Sequence, residues 1–120
     1  MTDLEEAAAW LASARYLLDE RGARARYTVV VAECIHAMIK ANDALTLRFL
    51  RRRSTRHEDA TLLFGELMRQ HKIPPGDAHL RGLLLRAVSE KSEYDYKGRE
   101  VGRDTALRWI VGATAAYRKQ

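Results

Sequence analysis

Residues 27–57 read YTVVVAECIHAMIKANDALTLRFLRRRSTRH, and this stretch decides the fold. Its first part is apolar on nearly every side of a helix and leaves one thin polar stripe, formed by Glu33, His36, Lys40 and Asp43. A helix that is apolar almost all round is buried among other helices. About 25 residues at 1.5 Å per residue give a rod of roughly 37 Å. The stretch therefore predicts the central helix of a small helical bundle.

The composition limits the class of protein. A chain of 120 residues and 13.7 kDa fits a single domain spanning 1–120 with one modest core. The acidic start at Thr2 and Asp3 is unlike a secretory signal, and no apolar run reaches the length of a membrane span. A single cysteine, Cys34, predicts a core residue in a reducing compartment. We therefore expect a cytoplasmic protein with no membrane partner.

The remainder of the chain predicts further helices around the central one. Thr2 and Glu5 have the spacing of a capping box, and Thr55 and Glu58 repeat it. The break Ile73-Pro-Pro-Gly-Asp77 separates two helices. Apolar residues at helical spacing predict helices over about 3–21, 56–71, 78–93 and 103–118, with a short linker at 22–25. The fold class is all-α, an up-and-down bundle of four to five helices.

The positive charge is concentrated in one place. The chain has 21 Lys and Arg against 16 Asp and Glu, and five of the arginines lie in residues 48–56, so the rest of the chain is balanced. A compact basic patch attracts phosphates or acidic partners. The alternative is a solvated helix end, whose cations interact favourably with the helix dipole.

Three segments carry a resemblance to a known family. Residues 35–45 read IHAMIKANDAL and residues 51–67 read RRRSTRHEDATLLFGEL. Residues 83–107 contain a Lys-x-x-x-Asp-Tyr turn that begins at Lys91 and a Val-x-x-Asp-x-Ala helix start at Val101. In this layout the chain resembles the small stand-alone proteins of the HEPN domain family, which are helical bundles often of unknown function. The resemblance implies a HEPN-like bundle.

The resemblance also implies two functional alternatives. Catalytic HEPN proteins are metal-independent endoribonucleases, often toxins paired with a nucleotidyltransferase-like antitoxin, and their signature is an arginine followed after four to six residues by a histidine. Arg52 and His57 match that spacing, which would bring a proton-transferring imidazole and a phosphate-binding guanidinium into one cleft. In catalytic members the motif lies on the helix before the last, whereas residues 91–96 of this chain contain no histidine.

We therefore expect a non-catalytic module that binds RNA, a nucleotide or an acidic protein such as a nucleotidyltransferase-like antitoxin. The alternative is a ribonuclease that uses Arg52 and His57. The residues expected to bind the anion are Arg48, Arg51, Arg52, Arg53, Arg56 and Lys91. Lys91 falls on an apolar helix stripe, so it either extends to solvent at the helix end or lies in a groove.

Three further expectations concern the central helix. Its polar stripe forms either a network inside the bundle or the lining of a small-molecule groove. Glu33 and His36 have the Glu-x-x-His spacing of di-metal bundles, but no second copy exists, so no metal or other cofactor is expected. The helix carries more apolar surface than four short neighbours would cover, which predicts a homodimer.

Overall fold

The computed structural model describes residues 2–20, 26–56 and 58–118, and the predicted linker at 22–25 lies outside them. These ranges contain no strand, so the prediction of an all-α bundle is confirmed. They form five α-helices and one short 3-10 turn: α1 (Asp3–Asp19), α2 (Arg26–Leu50), α3 (Asp59–Arg69), the turn Pro75–Asp77, α4 (Leu80–Asp95) and α5 (Arg103–Tyr117).

Helix α2 is the centre of the bundle, as its sequence predicts. It packs against α1, α3, α4 and α5, and 14 of its 25 residues are buried. Val30, Val31, Cys34 and Ile35 are fully inaccessible to solvent. The longest dimension of the molecule is 44 Å, only slightly more than the length expected for α2. The other helices therefore take their positions from this one.

The core has two parts that follow one another along α2. The first part surrounds the amino-terminal half of α2 and combines α1, α5 and the end of α4. The second part surrounds Leu45 and fixes α3 to α2 and α4; its buried members are Leu45, Ala60, Phe64, Leu67, Ile73, Leu80 and Leu84. Besides this part of the core, a buried hydrogen bond from Asn42 Nδ2 to Ala60 O at 3.2 Å holds α3 against α2.

The helix starts follow local sequence in one case and depart from it in another. Thr2 Oγ1 accepts from the Glu5 backbone at 3.1 Å and the Glu5 carboxylate accepts from Thr2 N at 2.8 Å, so the first capping box is confirmed. The second, predicted at Thr55, is wrong because α3 begins only at Asp59. There the Asp59 carboxylate accepts from the Thr55 hydroxyl at 3.2 Å. An acidic side chain inside the helix therefore organises this turn.

The neighbouring helices cover most of the apolar surface of α2. Among the large apolar side chains of α2, only Val29 and Leu47 are exposed in the described part of the chain. The uncovered apolar surface of α2 is therefore confined to these two side chains, and the homodimer stays a prediction. In the same described ranges, no helix is both long enough and apolar enough to cross a bilayer.

Two helix ends lead to a prediction about stability. His71 has a φ of 58°, and Lys72 N donates to Leu67 O at 2.9 Å, the geometry of a left-handed helix termination. Glycine adopts this conformation without the steric cost that a side chain incurs there. We expect His71→Gly to raise the free energy of unfolding by about 1 kcal/mol in urea titrations. Gly98 has a φ of 62°, so Gly98→Ala should lower the free energy of unfolding. Equal effects of His71→Gly and Gly98→Ala would contradict this explanation.

Candidate nucleic-acid interface

The basic residues 48–56, named here the arginine segment, begin on α2 and continue beyond its end. Arg51 has a left-handed φ of 59°, which terminates α2 and directs the chain across the start of α3. The five arginines of the segment are all exposed. The segment therefore presents its side chains at the surface where α2 ends and α3 begins.

Two buried carboxylates hold the arginine segment against the bundle. Asp43 Oδ1 accepts from the Ser54 hydroxyl at 2.9 Å and from the Ser54 backbone at 3.4 Å. Asp3 Oδ2 lies 2.7 Å from Nη2 of Arg53. Burial raises the pKa of Asp43, and the hydrogen bonds from Ser54 partly offset that shift. The charge of Arg53 is thus directed towards Asp3, a partner that no local sequence pattern indicates.

An open depression lies beside the arginine segment, with a volume of about 490 Å³. We name it the Phe49 depression; its lining residues are Phe49, Leu50, Arg52, Leu62, Leu63, Glu66, Arg69 and Gln70. Arg48 Cζ lies 5.0 Å from the centroid of the Phe49 ring, and Lys72 Nζ lies 5.6 Å from it. Lys72 was not among the predicted residues, because it reaches the ring only through the left-handed turn at His71. The proline pair that follows it was the one local signal of that turn.

The balance of charge around this depression is positive. Arg51 and Arg52 are exposed and form no ion pair within the part of the chain that is described. The carboxylate lining the depression belongs to Glu66, which is ion-paired with Arg69. The hydrogen bond from Gln70 and the nearby cations Arg69 and Arg52 lower the pKa of Glu66. The cations at Arg51 and Arg52 thus stay available to a ligand.

The remaining predicted cations are placed differently. Arg56 is exposed and lies 3.9 Å from Glu58, a surface pair of little energetic weight. Lys91 is paired with Asp95 and is largely buried, and Asp95 also lies 3.2 Å from Nε2 of His36. Since His36 is about 18 Å along α2 from Arg48, Lys91 lies away from the arginine segment.

The polar stripe of α2 forms a network rather than the wall of an open groove. Glu33 accepts from Ser13, His36 stacks on Trp10 with ring centroids 4.6 Å apart, and Lys40 lies 3.4 Å from Glu6. Burial raises the pKa of Glu33, and the hydrogen bond from Ser13 partly offsets that shift. Each member of the stripe thus has a partner on another element.

Few side chains in the described residues are placed for metal binding or for thiol chemistry. No three side chains of His, Cys, Asp or Glu converge there. Cys34 is fully buried, as predicted, and burial raises the pKa of its thiol to about 12. A thiol of that acidity is not a nucleophile near neutral pH.

The ribonuclease alternative depends on a residue outside the described ranges, because His57 lies in the gap between 56 and 58. Its relation to Arg52 therefore stays a prediction. Comparisons with protein-family profiles, with curated protein sequences and with solved structures give no match to this chain. The function is accordingly inferred from the arginine segment and the Phe49 depression.

Proposed function

We propose that this chain is a HEPN-like helical domain that binds single-stranded RNA at the Phe49 depression without cleaving it. The observation that supports the proposal most is the position of the Phe49 ring. Two cations, Arg48 and Lys72, flank the ring. Arg51 is exposed two residues further along the chain, and Arg52 is exposed and lines the depression. A ring surrounded by cations is the combination with which proteins hold single strands in a sequence-tolerant way.

In this proposal the cations and the ring have separate tasks. Arg51 and Arg52 contact phosphates, and their positions are fixed because the buried Asp43 holds Ser54, two residues beyond Arg52. A base stacks on Phe49 in place of one of the flanking cations, which then moves to a phosphate. Ionic contacts of this kind release counterions, so binding weakens as salt is raised.

The test is a titration of the protein with a fluorescently labelled oligouridylate at several salt concentrations. Replacing Arg51 and Arg52 together by glutamine should weaken binding about tenfold at low salt and reduce the salt slope by roughly 1.4. Phe49→Leu keeps an apolar side chain towards the core but removes the ring, so it should weaken binding and leave the salt slope unchanged.

A matched control removes two cations elsewhere. Lys97 and Arg108 are exposed and have no ion pair within the described residues, so Lys97→Gln with Arg108→Gln makes the same change in net charge. This control should bind RNA almost as the wild type does. Equal loss in both double variants would show that net charge alone, and not this surface, determines binding.

Other partners are outcomes of the same experiment. If RNA fails to bind while an acidic protein, such as a nucleotidyltransferase-like antitoxin, binds in an Arg52-dependent way, the RNA proposal is wrong. Cleavage of the oligouridylate without metal, lost in His57→Ala, would instead favour the ribonuclease that Arg52 and His57 predict. Sedimentation equilibrium of the same samples measures whether the chain is a homodimer.

A further inference from the structure

A second open groove lies between α4 and α5, with a volume of about 460 Å³. Both helices pack on α2 but hardly touch each other, so Met38 of α2 is left at the floor of the groove. Leu83 and Trp109 form apolar parts of its walls. Its size falls within the range of small-molecule sites.

The groove is open because α5 has a glycine on the side that faces α4. A Cβ placed on Gly112 would lie 3.4 Å from Cδ1 of Leu83, so any side chain beyond alanine would extend into the groove or against Leu83. A glycine inside a helix is unfavourable by about 1 kcal/mol relative to alanine. Nothing in the packing at Gly112 requires the absence of a Cβ, because 3.4 Å is an ordinary contact distance.

The charges of the groove favour a ligand with a single negative charge. Arg86 and Arg99 both contact Glu90, at 3.0 Å and 2.7 Å, and Arg99 also lies 2.9 Å from Glu93. Arg108 lines the same groove, is exposed, and has no ion pair or hydrogen bond in the described ranges. Three arginines against two glutamates leave a net charge of +1 there.

One aromatic ring adds an apolar surface beside these cations. Trp109 is only 6% exposed, and the guanidinium of Arg86 lies over its ring at 5.3 Å from the centroid. The guanidinium therefore orders the ring and the rim of the groove together. A planar ligand that lies against Leu83 and the exposed part of Trp109 would direct its charged end towards Arg108.

We propose that the α4–α5 groove binds a small aromatic carboxylate, with the carboxylate on Arg108 and the apolar ring against Leu83 and the exposed part of Trp109. A carboxylate matches the planar fork of a guanidinium through two parallel hydrogen bonds. The Thr105 hydroxyl, which also lines the groove, is a further donor for the same head group. This site is distinct from the Phe49 depression and does not depend on RNA binding.

The experiment uses 2-naphthoate as the probe and the two tryptophan indole N–H signals of ¹⁵N-labelled protein as reporters. Trp109 lines the groove, whereas Trp10 stacks on His36 at the α1–α2 contact and serves as the internal control. The probe should shift the Trp109 signal in a saturable way and leave the Trp10 signal in place. The neutral analogue naphthalene-2-methanol should bind about tenfold more weakly.

Four variants separate the parts of the proposal. Arg108→Gln should weaken binding of 2-naphthoate about tenfold, while Arg118→Gln, which removes an exposed arginine just past the end of α5, should not. Gly112→Leu should abolish binding by filling the groove, with circular dichroism as the check that the helices remain. The Arg51 and Arg52 double variant should bind the probe normally, which distinguishes this site from the RNA site.

Several results would overturn the proposal. These are an unshifted Trp109 signal, equal shifts of both tryptophans, equal affinity for the neutral analogue, or unchanged binding in Arg108→Gln. A matching shift of Trp109 by inorganic phosphate alone would also contradict it, because the apolar walls would then contribute nothing. If Gly112→Leu fails to fold, the Arg108 and Arg118 pair still decides the outcome.

Discussion

Leu67→Ala is expected to lower the free energy of unfolding by about 3 kcal/mol, the largest change among the substitutions considered. Leu67 is fully inaccessible to solvent and lies in the second part of the core, between α2 and α4. Removing its side chain loses the transfer free energy of the buried methyl groups and leaves a cavity. Urea titration followed by circular dichroism measures the loss.

A leucine on the same helix provides the control for that substitution. Leu62 is 69% exposed, so Leu62→Ala should change the free energy of unfolding by less than about 0.5 kcal/mol. Because Lys72, which follows α3 through the turn at His71, lies against the Phe49 ring, Leu67→Ala should weaken RNA binding at urea concentrations that leave the rest of the bundle folded. Similar losses of stability for both variants would mean that α3 is not held by the second part of the core.

The second prediction concerns a buried carboxylate of α2. Glu33 is 8% exposed, and its Oε1 atom has no hydrogen-bond partner within the described residues, while Oε2 accepts from Ser13. An ionised carboxylate with one oxygen buried and unpaired is unfavourable by roughly 1–3 kcal/mol. We expect Glu33→Gln to raise the free energy of unfolding at neutral pH by less than that amount, because the neutral amide keeps the hydrogen bond from Ser13 but leaves its own N–H group unpaired.

The direction of the pH dependence follows from the shift of the Glu33 pKa. Burial raises that pKa in the folded protein, whereas the unfolded chain keeps a value of about 4.3. Wild-type stability therefore rises, relative to the Gln variant, as pH falls through the folded pKa, and the difference vanishes near pH 4. At pH values above the pKa of Glu33 in the folded protein, the Gln variant shows its full gain in stability over the wild type.

Thermal unfolding of both proteins across this pH range measures the effect. Glu100→Gln is the matched control, because it removes one negative charge, as Glu33→Gln does, but from an exposed side chain. The stability of the Glu100→Gln variant should vary with pH as that of the wild type does. A Glu33→Gln variant that is less stable than wild type at neutral pH would show that the carboxylate has a favourable partner.

Local patterns were enough to predict the helices, as particular residues show. The capping box at Thr2 and Glu5 forms as its spacing predicts, and the proline pair at Pro74 and Pro75 separates α3 from α4. The central position of α2 followed from its apolar sides, since such a helix is stable only when other helices surround it. The start of α3 was misplaced because the Asp59 carboxylate, not the Thr55 spacing, organises the turn.

The site was only partly predictable. The arginine segment is visible in the sequence because its five cations are neighbours along the chain. The contacts of the segment are not visible in the sequence. Asp3 pairs with Arg53, which lies fifty positions further along the chain, and Lys72 contacts Phe49 only because the chain turns between them. Such contacts depend on how helices pack, and no local pattern encodes that packing.

The sequence by itself determined the fold class, the order of the helices along the chain and the concentration of positive charge. These properties depend on hydrophobic periodicity and on charges that are adjacent in the chain. Only the tertiary structure decided which cations stay free, since Asp3 pairs with Arg53 and Asp95 pairs with Lys91. It also decided that α4 and α5 diverge above Met38. The physical reason is that charge pairing and helix packing act through space, between residues that the chain keeps far apart.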